Sequence, residues 1–151
     1  MPNASKRKVE FPGRAQKRLT KTQLLPMSRS AQSEIALRYH LALALFSGAA
    51  GSTEQAQELF RAIYISYYLS EAGFATTDSS IHLAAEDALV AAVQEGERTD
   101  VWVLDASKRC TVEKVLQIHE EQLTSAPLHA LERAREQLLQ FALGAQKSPW
   151  G

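Results

Sequence analysis

Four histidines, one cysteine and a dense run of cations are the residues of this 151-residue chain with obvious chemistry to offer. His40, His82, His119 and His129 each fall in a different stretch of helical periodicity, and helical bundles do gather metal ligands from facing helices. The spacing argues against that use here. HEEQL at 119–123 lacks the second histidine one turn later that would bring two imidazoles to one ion. His129 and Glu132 share a face at i, i+3, which is half of a di-iron carboxylate motif, but the other half and its inward glutamates are missing. Glu34, Glu54 and Glu58 sit near helix starts, where the macrodipole explains them. The histidines therefore read as surface or hydrogen-bonded core residues, and no metal or other cofactor is expected.

Nucleophilic chemistry has no better support. Cys110 lies beside Lys108 and Arg109 near a helix start, a setting that lowers a thiol pKa, yet a lone cysteine usually packs as a small hydrophobe. Gly48-Ala-Ala-Gly51 lacks the Gly-Lys-Ser/Thr of a phosphate loop and has no strand before it. The expectation is a protein that is not an enzyme. The aromatic run IYISYYLSEAGF at 63–74 offers two uses, a stacking surface for bases or, with more weight, a packed core stripe. Tyr67, Tyr68, Trp102 and Trp150 are the candidates for an exposed partner-binding surface, since Tyr and Trp are enriched among binding hot spots.

The cations are the most informative group. Residues 1–29 hold eight of the 17 basic residues and one of the 17 acids, so a segment of +7 precedes a body of −7. Lys6, Arg7, Lys8, Arg14, Lys17, Arg18 and Lys21 are the candidate nucleic-acid contacts. With Phe11 as its one aromatic, the segment is suited to neutralising phosphates of DNA or RNA, with steep salt dependence and little sequence discrimination. KRK at 6–8 and KR at 17–18 also have the look of a bipartite nuclear address, should the host be eukaryotic. A third use is to shield the acidic body, an attraction that salt screens over about 8–10 Å.

These groups need elements to position them. Residues 1–27 carry repelling charges, Pro2, Pro12, Gly13 and Pro26, and too little apolar surface to offset ordering, so they are expected to be a disordered basic arm. Residues 28–145 are expected to form one all-α domain of about five amphipathic helices, and 146–151 a flexible tail. The first helix starts after Ser28 or Ser30 and stops at Gly48; its two apolar stripes, Ile35-Tyr39-Ala42-Phe46 and Leu37-Leu41-Ala44-Leu45, suggest a central helix buried nearly all round. Ser52 and Gln55 have capping-box spacing at the head of the second helix, which Gly73 stops. The third helix runs from about Asp78 to Gly96, and Val101–Leu104 reads as an apolar plug. The fourth spans about 107–123, and Pro127 sits in the first turn of a fifth that ends at Gly144. The last two have helix-turn-helix spacing, but His129, Glu132, Arg133, Arg135, Glu136 and Gln140 make a mixed surface poorly suited to a DNA groove. No run approaches the roughly 20 apolar residues of a membrane span, and with no secretory segment and one cysteine the expected location is cytoplasmic.

RYHLALAL at 38–45, APLH at 126–129 and SPW at 148–150 resemble a family of small proteobacterial proteins, often encoded near mobile elements and labelled Fis-family transcriptional regulators. The resemblance covers most of residues 27–150 and implies a DNA-binding regulator. Residues 127–143 do not match the basic recognition helix of Fis, so no base-contacting residue carries over. The expected function is a non-enzymatic accessory or regulatory protein that contacts nucleic acid through its arm while the body binds a protein partner or itself. The alternative is a helical protein-interaction module with no nucleic-acid role.

Overall fold

The computed structural model describes residues 18–75 and 77–144. Of the candidate residues, Lys6, Arg7, Lys8, Arg14, Lys17 and Trp150 lie outside the described residues. The described chain is all α: α1 (Lys21–Leu24), α2 (Arg29–Ser47), α3 (Thr53–Glu71), α4 (Ser79–Thr99), α5 (Ala106–Ser125) and α6 (Leu128–Ala142). None of its helices is long and apolar enough to cross a membrane.

Residues 18–27 fall within the expected arm, yet the structure gives them a helical turn. Thr20 Oγ1 accepts from the Gln23 amide at 3.3 Å, and Gln23 Oε1 accepts from the Thr20 amide at 2.9 Å. This reciprocal capping box satisfies two amides that a short turn would otherwise leave unpaired. The turn packs on α6, and Leu128 N donates to the Leu25 carbonyl at 2.9 Å. Arg18 and Lys21 are thereby exposed cations tethered to the helical body.

Other helix starts follow local capping chemistry. Ser28 Oγ accepts from Ala31 N at 3.2 Å, Asp78 Oδ1 from Ser80 N at 2.9 Å and Asp105 Oδ1 from Lys108 N at 2.9 Å. Ser52 departs from expectation: its hydroxyl donates to the Gln55 side chain instead of accepting from the backbone, so no capping box forms there.

The central helix is α3, not α2. It packs on α2, α4, α5 and α6. Its first half places Ala56, Leu59, Ala62 and Ile63 in a core shared with α2, α4 and α5, and its second half places Ile65, Tyr68 and Leu69 in a second core with α6 and the end of α5. α2 buries only the stripe of Tyr39, Ala42, Leu43 and Phe46. Its other apolar stripe stays in solvent, with Leu37, Leu41 and Leu45 exposed by 59%, 55% and 41%. Helical period alone cannot separate a face that is apolar from a face that is covered.

Gly96 likewise does something other than end a helix. α4 runs three residues past it to Thr99, and Asp100 takes the left-handed stop at φ 62°. At Gly96 the helix is bare so that the Trp102 indole can lie on its backbone; a Cβ there would stand 2.3 Å from Trp102 Cδ2. Trp102 and the buried Leu104 make 101–104 the expected plug, held by Leu104 N donating to the Phe46 carbonyl and Gly51 N to the Trp102 carbonyl, both at 3.3 Å.

Candidate binding groove

Among the described aromatic partner candidates, none is fully exposed. Tyr68 is buried; Tyr67 is half-buried, edge-on to Tyr68 and to His82 with ring centroids 5.7 and 5.9 Å away; and Trp102 is half-buried on Gly96. Burial dominates the upward pKa shift of both tyrosines. These rings pack.

The four histidines do not converge on one point, although His82 and His119 meet in one polar network, and among the described residues no group of three or more His, Cys, Asp or Glu is placed to hold an ion. His40 pairs with Glu120 across α2 and α5. His82 and His119 are buried, at 0% and 2% exposure, and desolvation pushes both down to about 4. His82 Nε2 shares a 3.0 Å hydrogen bond with the Ser66 hydroxyl, while its Nδ1 has no partner among the described residues. Gln122, also fully buried, donates through Nε2 to the carbonyls of Ser66 at 2.9 Å and Phe74 at 3.1 Å. That assignment leaves Oε1 as an acceptor, so His119 Nδ1 donates to it at 3.3 Å. The network ties α3 to α4 through Ser66 and His82 and to α5 through Gln122, and the His119 ring packs against Tyr39 of α2 with centroids 5.7 Å apart.

A large concave feature lies along another face of α3. α2 and α6 both pack on α3 without packing substantially against one another, and the space left between them is a groove of ≈ 590 Å³. Phe60, Tyr64 and Ile65 of α3 form its floor. The spacing 57, 60, 61, 64, 65 is one face of a helix, which is why a single element can floor the whole groove. One wall is Ile35 and Tyr39 of α2, the other Leu138 and Phe141 of α6. Phe60 stacks on Tyr64 at 6.3 Å, and Tyr64 meets Phe141 at 5.3 Å, so the floor and the α6 wall are one aromatic surface. Burial raises the pKa of Tyr64, and its hydrogen bond to Glu86 of α4 adds to the shift and anchors the ring from behind.

Three cations rim this apolar surface: Arg38 of α2, Arg61 of α3 and Arg135 of α6. Arg61 donates to Glu58 Oε1 one turn earlier at 3.3 Å. Arg38 and Arg135 have no ion pair among the described residues. The buried Tyr39 hydroxyl lies within electrostatic reach of all of them. Desolvation raises its pKa most, Glu58 adds to that, and Arg61, Arg135 and Arg38 oppose it. Against Glu58 and Glu86, which engage Arg61 and Tyr64, the groove carries three guanidinium groups, a local excess of positive charge on a body that is acidic as a whole. Residues this far apart, at 35–39, 57–65 and 135–142, give no local motif from which such a groove can be read.

Comparisons with protein-family models, with curated proteins and with solved structures return no match for this chain. What the fold defines is an all-α domain with an open, arginine-rimmed aromatic groove.

Proposed function

We propose that this protein is a non-enzymatic binding module whose recognition site is the groove between α2 and α6. The observation that carries the reading is the gap itself: two helices share α3 as a floor, fail to close on each other, and leave an aromatic surface accessible between them. Apolar clefts with a few convergent polar groups are where proteins hold ligands. The test uses Nile red, an uncharged apolar dye. The wild-type protein is expected to bind it saturably at one site, and Ala142→Trp is expected to weaken binding by about tenfold, equivalent to 1.4 kcal/mol. Ala142 is exposed and lines the groove, so the larger side chain fills the cleft without entering the core. Equal affinity in the variant would place the dye elsewhere, for instance on the Leu37-Leu41-Leu45 stripe, and the groove reading would be wrong.

A second reading is favoured by the charge division between residues 1–29 and the rest of the chain. The basic segment contacts DNA or RNA phosphates, as a regulator of the kind suggested by the family resemblance would, and the groove serves the partner or ligand. Replacing Lys6, Arg7, Lys8, Arg14 and Lys17 together by Gln is then expected to abolish a nucleic-acid affinity whose logarithm otherwise falls by several units per decade of salt. Indifference of the wild-type protein to DNA and RNA at low salt would remove this role.

A further inference from the structure

Building on the groove reading, we propose that its ligand is an amphiphile with an apolar body and a single carboxylate head: the aromatic floor takes the body, and Arg38 and Arg135 take the head.

Charge complementarity selects the head. Arg38 and Arg135 come from opposite walls, carry no ion pair among the described residues, and flank the groove around Tyr39. A guanidinium offers a planar fork of donors that matches a carboxylate, and such charge-assisted pairs are about twice as strong as neutral hydrogen bonds. Arg61 is already engaged by Glu58, whose second oxygen, Oε2, is buried without a hydrogen-bond partner among the described residues. With Arg61 and Glu58 neutralising one another, Arg38 and Arg135 are the two guanidinium groups, without an ion pair among the described residues, that are available to a carboxylate head. A cationic head would meet the guanidinium groups of Arg38 and Arg135 and is repelled by them.

The body is selected by shape and surface. The volume of ≈ 590 Å³ falls inside the span of small-molecule sites, about 300–1,000 Å³. The surface presented is mostly carbon: the stacked Phe60 and Tyr64, the Phe141 ring, and the aliphatic Ile35, Ile65 and Leu138. A flexible chain or fused ring system fits an open trough whose α3 floor sets the Phe60, Tyr64 and Ile65 side chains beside Gln57 and Arg61, with the Tyr64 hydroxyl hydrogen-bonded to Glu86.

The experiment is displacement of Nile red by dodecanoate, dodecanol and dodecylammonium, each below its micelle-forming range, from the wild-type protein and from Arg38→Gln/Arg135→Gln. Dodecanoate is expected to bind about tenfold more tightly than dodecanol, and dodecylammonium more weakly than either. In the double variant the carboxylate-to-alcohol ratio is expected to collapse towards one. Equal affinity for acid and alcohol in the wild type, preference for the amine, or a ratio that survives the double substitution would each overturn the assignment. If Ala142→Trp loses the dye while no twelve-carbon probe displaces it, the groove stands and the carboxylate ligand falls. Dye binding that ignores Ala142→Trp removes the groove itself.

Discussion

Lowering the pH from 7 to 5 is expected to destabilise this domain by about 4 kcal/mol, through His82 and His119 alone. Both imidazoles are buried, both are held neutral, and desolvation brings both down to about 4 from an ordinary 6.5. In the unfolded chain they take up protons as the pH falls through about 6.5; in the folded protein they do not until the pH nears 4. Over that window the unfolded state binds more protons, so stability falls with falling pH. It is complete above about pH 6.5 and lost progressively down to about pH 4, with a limit of about 3 kcal/mol per histidine. Urea unfolding followed by circular dichroism at pH 7 and pH 5 measures this directly. His82→Gln, which keeps a hydrogen-bonding group near Ser66, is expected to remove about half of the pH-dependent loss whatever it does to stability at pH 7. A domain equally stable at pH 7 and pH 5 would show that the folded imidazoles accept protons as readily as free ones.

Those two histidines illustrate what a sequence does and does not disclose. α2, α3, α4 and α6 announced themselves through apolar period and through Ser28, Gly73, Asp78 and Pro127, because capping and turn chemistry act between residues a few positions apart. Pro127 stands one residue before its helix and not in its first turn, and α5 was legible from its apolar period without its Asp105 cap. Harder to see was any feature depending on what comes to lie against a face. The exposed leucines of α2 have the same period as its buried stripe, and only the placement of α5 and α3 decides between them. Gly96 looked like a stop and is a seat for Trp102, a contact across the α4–α5 connection that no helix propensity encodes. Arg38, Arg61 and Arg135 stand on three helices and share no local motif. They become a rim only because α3 holds α2 and α6 apart. The groove is a property of packing between distant segments, and local patterns carry no trace of it.

Gln122→Leu is expected to cost about 3 kcal/mol although it exchanges a polar for an apolar side chain in the core. The reason is the fate of its partners. Gln122 Nε2 serves the Ser66 carbonyl of α3 and the Phe74 carbonyl of the turn that follows it, while Oε1 receives His119 Nδ1. Leucine occupies a similar volume, so no large cavity forms, but the Phe74 carbonyl and the His119 N–H lose these partners. A buried polar group left unmade costs about 1–3 kcal/mol, more than the transfer of one methylene equivalent returns. Guanidinium-chloride unfolding of the variant at pH 7 gives the number. A loss below 1 kcal/mol would mean that water reaches Phe74 and that the network is not the bolt between α3, α5 and the 72–75 turn. The variant also separates stability from recognition. At 100° per residue, Ser66 lies about half a helical turn from the 57-61-64 line that floors the groove. Nile red affinity measured on the folded fraction is therefore expected to change far less in Gln122→Leu than in Ala142→Trp, and a parallel loss in both would show that the polar network shapes the groove through the His119 ring, which lies 5.7 Å from Tyr39 of the groove wall.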